Sequence, residues 1–520
     1  MTAGQRVMIN AIATYGRTVL GIALGLFSGR WVLLSLGQVD YGLLGVVGGL
    51  FGFIVMFNTV SATSCSRYFA LSVGNGDLAE TNRWFNVAVF IHLIIPIGLV
   101  FVGLPLGEWA IDNLLTIPET RVHTAHLVFR ISVASSFVAM VSAPYMGMMV
   151  AKQNITEMSL WHILGNLLRF VAIYAMLHYT GDAWLFYVAA TSAISVVILI
   201  AQAYRCYHLY RECALHASRM IDFKRICSLF RFAGWQMLAA ISGVCRGIGM
   251  GVLINQYFPP QKEPSANASF TIGQNISSYS GILSSALLSA FLPEITATEG
   301  RGDRERMFSH ATKASKFGTF LVVLVAIPLM IEVRPVLDLW LKTPPDFAWV
   351  FALYMIGQVL VENLTYGQMA AVNAVGRIGF YQCVVSGLTM CALPVAWILY
   401  VCGFGVGAAG LAILITYAFA MLARVILARF IIGYAVAPWF RQVFVPAIIV
   451  MGVAFGVGVL LKSFIKEAAL FQIIAVSIVT DSCILVLSWG VLFNREERSF
   501  VGRQFECICR RVLKQTGGGQ

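Results

Sequence analysis

Long apolar runs recur along the chain at short intervals, and they limit the fold more than any other feature. A helix needs about 20 mainly apolar residues to cross a bilayer. Open strand edges cannot span lipid, and the ten-residue alternation of a membrane barrel is missing. We therefore predict an all-α, polytopic membrane protein with about 14 transmembrane helices. The runs are 8–36, 41–65, 85–106, 122–150, 155–179, 183–204, 226–256, 266–292, 317–339, 347–373, 378–402, 405–430, 441–461 and 468–493.

The charge content agrees with a membrane environment. Charged residues make up 12% of the chain and apolar residues 59%, whereas a soluble domain carries about 25% charged residues. The net charge is +12. In a soluble protein this charge would suggest a nucleic-acid partner. In a membrane protein, excess Lys and Arg mark cytoplasmic loops, so no nucleic-acid partner is expected.

The distribution of Lys and Arg predicts the orientation. With the N-terminus inside and fourteen crossings, the cytoplasmic segments 205–225 and 294–316 and the tail 494–520 are rich in basic residues. Both termini are then cytoplasmic, and the tail lies on the inner membrane surface. The basic residues of the outside loops are few: Arg121, Lys262, Arg334, Lys342, Lys462 and Lys466.

Two loop sequences indicate an internal repeat. "VGNGDLAETNRW" (73–84) matches "TEGRGDRERM" (298–307), so that Asp77 corresponds to Asp303 at an offset of 226 residues. The same offset relates Asp112 to Asp338. Arg-Gly-Asp in the second stretch resembles a cell-adhesion tripeptide, but the predicted orientation places it in the cytoplasm. The duplication predicts two six-helix lobes inserted in parallel, a plan common among transporters.

The repeat and the runs together divide the chain into five parts. Residues 8–204 form the first lobe and 226–430 the second. The basic cytoplasmic linker 205–225 joins them. Residues 441–493 form an extra helix pair outside the duplication, and 494–520 form a basic cytoplasmic tail.

This plan resembles a known superfamily, the multidrug, oligosaccharidyl-lipid and polysaccharide exporters. The opening "SGRWVLLSLGQVDYGLLGVVGGLFGF" (28–53) is similar to that of polysaccharide flippases. In both, an Arg ends the first helix (Arg30), a Leu-Gly follows (36–37), and a Tyr-Gly starts the second helix (41–42). Fourteen helices favour the branch that handles polysaccharides and lipid-linked sugars.

The resemblance implies a function. It points to a flippase that moves a lipid-linked oligosaccharide, a polyprenyl-pyrophosphate sugar for surface polysaccharide, across a bacterial inner membrane by alternating access. The implied partners are this substrate, membrane lipid and polysaccharide-assembly proteins. No cofactor is expected beyond a coupling ion, H⁺ or Na⁺.

Arginines inside the apolar runs are the first candidates for substrate binding. An ionisable group at the bilayer centre costs about 2.5–3.5 kcal/mol on insertion scales, so it is a functional candidate by default. Arginine suits phosphate because its planar fork makes paired, charge-assisted hydrogen bonds. The alternative is that each arginine pairs with neighbouring carbonyls or with Glu362. The candidates are Arg17, Arg246, Arg169, Arg130 and Arg30.

Polar residues in two runs are further candidates. Gln274 and Asn275 in the eighth run and Asn58 in the second could line a cavity for sugar hydroxyls. Small and hydroxyl residues around them also favour close helix packing, so both interpretations stay open. Glu362 and Asp481 are candidate ion-coupling acids, with a counter-ion role as the alternative.

Other motifs exclude most enzyme classes. The sequence contains no Walker loop, HExxH, GxSxG or CxxC, and its eight histidines and eleven cysteines show no metal-ligand spacing. We expect no metal, no catalytic residue and no enzymatic activity. Two alternatives to the flippase remain. One is an ion-coupled drug or metabolite antiporter of the same superfamily. The other is a membrane polysaccharide polymerase or ligase, which short outside loops disfavour.

Overall fold

The structure is a computed structural model. It describes residues 3–50, 56, 65–66, 68–70, 72–73, 76–465, 469–494 and 498. Helices are the only regular secondary structure of this described part, which confirms the predicted all-α class. The helices are α1 (Ala3–Leu50), α2 (Leu78–Asn113), α3 (Glu119–Ala151), α4 (Ile155–Met176), α5 (Ala183–Leu209), α6 (Phe223–Val244), α7 (Met250–Tyr257), α8 (Ala266–Gly300), α9 (Arg304–Ile331), α10 (Val333–Leu341), α11 (Ala348–Asn363), α12 (Tyr366–Val375), α13 (Ile378–Met390), α14 (Ala392–Val401), α15 (Ala408–Ile432), α16 (Val436–Trp439), α17 (Val445–Phe464) and α18 (Ala469–Leu487).

Most of the predicted runs are membrane-length helices. In the described part, eleven helices are long and apolar enough to cross a bilayer, or twelve if the bent pair α11 and α12 is one span. Two of the fourteen runs account for the difference. The run 41–65 lies partly in α1 and partly outside the described residues. Helix α8 is 35 residues long, but several side chains between positions 283 and 297 lie outside the described part of the chain, so α8 does not enter this count.

The first two predicted runs are joined without a loop. Two helical stretches meet at Gly37, whose φ of 70° and ψ of 176° are not helical, and together they make up the range given for α1. Glycine has no Cβ and adopts positive φ at little cost. The Leu-Gly of the flippase-like opening therefore marks the kink at which two helices join.

The two matched loops have the same backbone turn. Gly76 and Gly302 both have positive φ, 72° and 76°. The amide of Asp77 donates to the carbonyl of Ser72 at 3.2 Å, and the amide of Asp303 donates to that of Thr298 at 3.0 Å.

Each aspartate then caps the helix that follows. The Asp77 carboxylate accepts from the amide of Glu80 at 2.9 Å, and that of Asp303 accepts from the amide of Arg306 at 3.1 Å. A side-chain oxygen at this position satisfies an amide that has no partner within the helix. The two turns that the sequence relates by an offset of 226 residues thus have the same backbone geometry.

The chain forms two compact units. The first comprises Met1–Gln274, Trp340–Phe351 and Gln382–Thr416. The second comprises Asn275–Leu339, Ala352–Tyr381 and Tyr417–Gln520. This division does not test the predicted boundaries of the two lobes, the linker, the extra helix pair and the tail, and those boundaries stay a prediction.

An ion-pair network holds three helices of the first unit at one end. Arg121 at the start of α3 pairs with buried Asp40 of α1 at 2.6 Å and with Asp182 at 3.1 Å. Asp182 caps α5 through the amides of Trp184 and Leu185. Partial burial raises the pKa of Asp182, but hydrogen bonds from Thr124 and these amides and the Arg121 charge outweigh it and hold the pKa below its usual value. The carboxylate therefore stays ionised at neutral pH.

In the second unit, the extra pair α17 and α18 is fixed to the end of α9. Glu332 is fully buried. Its carboxylate pairs with Lys462 of α17 at 3.3 Å and accepts from Gln472 of α18 at 3.1 and 3.3 Å. Because a buried charge is costly without partners, this cluster explains why both extra helices dock beside α9.

Candidate functional site

A polar cluster forms where α1 packs against α4 and α5. The guanidinium of Arg169 on α4 donates to Asn166 Oδ1 at 3.2 Å and to Ser195 Oγ of α5 at 3.0 Å. Helix α1 approaches closely at Gly21, where a Cβ would lie 3.5 Å from Asn166 Nδ2. Two neutral oxygens hold Arg169, so its positive charge stays uncompensated by these contacts.

Arg17 belongs to the same region. It is half-buried on α1, and Arg17 and Arg169 both lie within electrostatic range of the His162 ring. The structure thus places Arg17 and Arg169, 152 residues apart in the sequence, on the same pair of packed helices, since Gly21, four residues from Arg17, contacts Asn166. We call Arg17, His162, Asn166, Arg169 and Ser195 the cationic cluster.

The sequence analysis missed His162, Asn166 and Ser195. A signal for two of them was present, because residues three, four and seven apart share one face of a helix. His162, Asn166 and Arg169 have these spacings on α4. Ser195 had no such signal, since it lies on the neighbouring helix and only packing brings it to Arg169.

Arg246 lies at a break between α6 and α7. The segment Cys245–Gly249 is a π-helical turn, a distortion frequent at functional sites. A Cβ on Gly247 would lie 3.5 Å from Gln274 Nε2 of α8. The structure thus places Gln274, also a predicted site residue, beside the turn that carries Arg246.

The other predicted substrate-binding residues are placed differently. Arg130 has 57% of its side chain exposed, and its Nε donates to Glu108 of α2 at 2.6 Å. The acid beside it was not foreseen, and it neutralises this arginine. Arg30 Nε is buried without a hydrogen-bond partner in the described part of the chain. Asn275 is half-buried on α8, and Asn58 lies outside the described residues.

Glu362 is a counter-ion to an arginine that the sequence analysis did not single out. Its carboxylate lies 3.5 Å from Arg424 Nη2 of α15 and accepts from Gln358 at 2.9 Å. Arg424 is 5% exposed, so this is a buried charge with a partly exposed partner. The available signal was the place of Arg424 within the apolar run 405–430.

Asp481 lies on α18 beside an apolar groove. Its Oδ1 is buried without a hydrogen-bond partner among the described residues. Residues 481, 485 and 489 follow one another at one-turn spacing along one face. The groove has a volume of about 590 Å³ and is lined by Leu287, Phe317, Phe320, Leu321, Leu485, Val486, Trp489 and Phe493. Within the described residues no group of His, Cys, Asp and Glu could hold a metal ion.

Comparisons with known proteins give the fold. No family model matches the chain, and no curated protein matches it by sequence. Solved structures do match. An inward-facing multidrug resistance MATE family transporter of the MOP superfamily is 15% identical, with a TM-score of 0.66 over 81% of this chain and 98% of that one. The lipid II flippase MurJ in an inward closed conformation is 12% identical, with a TM-score of 0.66 over 92% and 98%.

A third structure is informative about pockets. A MOP superfamily transporter from Pyrococcus furiosus is 15% identical to this chain, with a TM-score of 0.63. The match spans 84% of this chain and 96% of that one. Its binding pocket is described as having reverse polarity, which suggests a different function for that protein. The expected resemblance to the exporter superfamily is confirmed for the fold, and the fold alone does not set the polarity of a pocket.

Proposed function

We propose that this chain is a flippase for a lipid-linked oligosaccharide. The observation that carries the proposal is the cationic cluster, in which Arg17 and Arg169 lie on two packed helices of membrane-spanning length. Arg169 is held by Asn166 and Ser195, neither of which carries a charge. A positive region at membrane depth favours an anionic substrate.

The pyrophosphate of a polyprenyl-pyrophosphate sugar has the matching chemistry. Guanidinium groups bind phosphate oxygens through two parallel hydrogen bonds, and these are strengthened in a low-dielectric site. The hydroxyl and amide groups of Ser195 and Asn166 are suited to the sugar. We propose Arg246 and Gln274 as a second set of contacts, on the π-helical turn and on α8.

The apolar groove favours a substrate with a lipid chain. Its lining is almost entirely aromatic and aliphatic, as expected for a surface that accepts hydrocarbon. We propose that the chain of the lipid carrier occupies it during transport.

An ion-coupled drug or metabolite antiporter is the second candidate. Glu362 and Asp481 are acids within spans, and the multidrug MATE transporter has the same fold. Cationic drugs need unpaired acids. Glu362 is paired with Arg424, and Asp481 has an unpartnered oxygen among the described residues but lies next to a groove whose lining residues carry no charge. The flippase is therefore the better-supported candidate, and Glu362 or Asp481 would carry a coupling H⁺ or Na⁺.

The remaining expectations follow from this proposal. We propose a multi-pass protein of the bacterial inner membrane with both termini in the cytoplasm, working with polysaccharide-assembly proteins. Its mechanism would be alternating access of the two predicted lobes, without enzymatic chemistry.

Transbilayer movement of a fluorescent polyprenyl-pyrophosphate oligosaccharide in proteoliposomes tests the proposal. The double variant Arg17→Gln/Arg169→Gln should flip it about a hundredfold more slowly or worse, because charge-assisted contacts contribute about 1.5–3 kcal/mol each and two are removed. Arg301→Gln is the matched control, since its side chain is 60% exposed. It should flip at the wild-type rate.

Two outcomes would reject the proposal. In one, wild-type proteoliposomes move a cationic dye against an ion gradient and leave the lipid-linked sugar in place, which identifies an antiporter. In the other, the double variant flips the sugar as fast as Arg301→Gln, which removes the cationic cluster from substrate binding.

A further inference from the structure

The segment that joins α5 to α6 is a folded element held by two asparagines of α2. Asn82 Nδ2 donates to the carbonyls of Glu212 and Ala214 at 2.8 and 2.7 Å. Asn86 Nδ2 donates to the carbonyl of Ala214 at 3.0 Å, and its Oδ1 accepts from the amide of His216 at 2.7 Å. These four hydrogen bonds fix the backbone of residues 212–216.

Several charges of the segment are used to hold it in place. Glu212 is buried and pairs with Lys152. Arg219 donates to Asn82 Oδ1 at 2.7 Å. Arg225 makes a two-pronged ion pair with Glu80, at 2.7 and 2.9 Å. The segment therefore has a defined inner face, and its outer face is presented in a fixed orientation.

The exposed side chains of this segment are both apolar and basic. Leu215, Ile221 and Phe223 are 48%, 65% and 78% exposed. Arg211 and Lys224 are exposed on the same segment, and none of the contacts above involves their side chains. We call Arg211, Leu215, Ile221, Phe223 and Lys224 the linker face.

The linker face lies at the border of the membrane. It begins two residues after Leu209, the end of a candidate span, and the predicted orientation places it on the cytoplasmic side. Exposed Phe and Ile at this depth can enter the boundary between headgroups and acyl chains. Basic side chains there are attracted to the anionic lipids of the inner leaflet.

We propose that the linker face is a binding site for anionic phospholipid of the cytoplasmic leaflet. Arg211 and Lys224 contact the phosphate of the headgroup, while Ile221 and Phe223 insert beside its acyl chains. The bound lipid anchors the connection between the two predicted lobes to the membrane surface. This site is separate from the substrate contacts of the cationic cluster.

Native mass spectrometry of the full-length protein, titrated with phosphatidylglycerol or phosphatidylcholine, measures this preference directly. Wild type should prefer phosphatidylglycerol. Arg211→Gln/Lys224→Gln should lose about fivefold of the preference for each residue changed. Lys262→Gln/Lys342→Gln removes the same charge from two other exposed positions and should keep the wild-type preference.

A second variant measures the contribution of the apolar side chains separately from that of the basic ones. Phe223→Ser should weaken binding of both lipids alike and leave their ratio unchanged, because it removes insertion without altering charge. The proposal is overturned if wild type shows no preference for phosphatidylglycerol, if Arg211→Gln/Lys224→Gln keeps it, or if the control pair loses as much. All of these side chains are exposed, so each variant is expected to fold.

Discussion

Arginines within the spans differ in what surrounds them, and this determines what each can do. Arg130 and Arg424 have acidic partners, Glu108 and Glu362. Among the described residues, Arg169 donates to the neutral oxygens of Asn166 and Ser195, and Arg17 lies on the helix packed against that of Arg169. An arginine with a carboxylate beside it is already neutralised, whereas one held by amide and hydroxyl oxygens keeps its attraction for an anion.

The pair of Glu362 and Arg424 allows a stability test. Glu362→Leu leaves a buried guanidinium without its carboxylate. Breaking a buried pair costs about 3–5 kcal/mol, and about 2–3 kcal/mol is expected here because a third of the Glu362 side chain is exposed. The melting temperature in detergent should fall clearly. Glu362→Leu/Arg424→Met should recover most of the loss, because no charge is then left buried.

Glu305→Leu serves as the control, because it removes an exposed acid of α9. It should melt at nearly the wild-type temperature. A double variant that melts as low as Glu362→Leu would show that the two residues are not coupled.

At the scale of elements, close helix packing in this protein depends on small residues at particular contacts. Helix α12 begins at Tyr366, and its second residue Gly367 lies directly against α9, where the Gly367 amide donates to Ser315 Oγ at 2.9 Å. A Cβ there would lie 1.8 Å from the Ala311 carbonyl oxygen. Small residues of this kind let helix backbones approach each other, whereas larger apolar side chains would keep them apart.

Substituting Gly367 tests this contact. Gly367→Ala should destabilise the fold by about 1–3 kcal/mol or more, because the backbone of α9 must shift. Gly387→Ala is the matched change on α13, where no atom lies within 4 Å of the added Cβ. It should be neutral or stabilising by up to about 1 kcal/mol. Thermal unfolding of both proteins in one detergent compares them, and equal melting temperatures would contradict the assigned contact.

At the scale of the whole molecule, the repeat and the orientation are linked. The twin turns at Gly76-Asp77 and Gly302-Asp303 share dihedral angles, hydrogen bonds and helix caps. With the six crossings that the sequence predicts between them, the two turns lie on the same side of the membrane. The basic residues around them predict that this side is the cytoplasm.

Epitope insertion measures the orientation. A short tag inserted after Gly300 should bind antibody only in permeabilised cells, and a tag after Gln261 should bind it in intact cells. Both positions are exposed, but a tag after Gly300 interrupts the turn from Thr298 to Asp303, so wild-type abundance of each tagged protein in the membrane is the control. Antibody binding to the Gly300 tag in intact cells would reverse the predicted topology, and with it the cytoplasmic placement of the linker face.

The sequence by itself determined the class of the protein and its repeat. In apolar runs of membrane length, helices satisfy the backbone hydrogen-bonding groups within lipid. This constraint acts within each run, so it can be recognised from the local sequence. The two matched turns could also be recognised from local sequence, because a Gly with positive φ followed by a capping Asp depends only on adjacent residues. The resemblance to the exporter superfamily in fold also came from this level.

Only the tertiary structure decided which charges meet. Whether Arg169 faces Ser195, Arg130 faces Glu108 or Glu362 faces Arg424 depends on how helices rotate and pack against helices distant in sequence. The same holds for Glu332, whose partners Lys462 and Gln472 lie more than a hundred residues away. Helical periodicity fixes which residues share a face. Which other helix lies against that face depends on tertiary packing, so the net charge of each site also depends on packing.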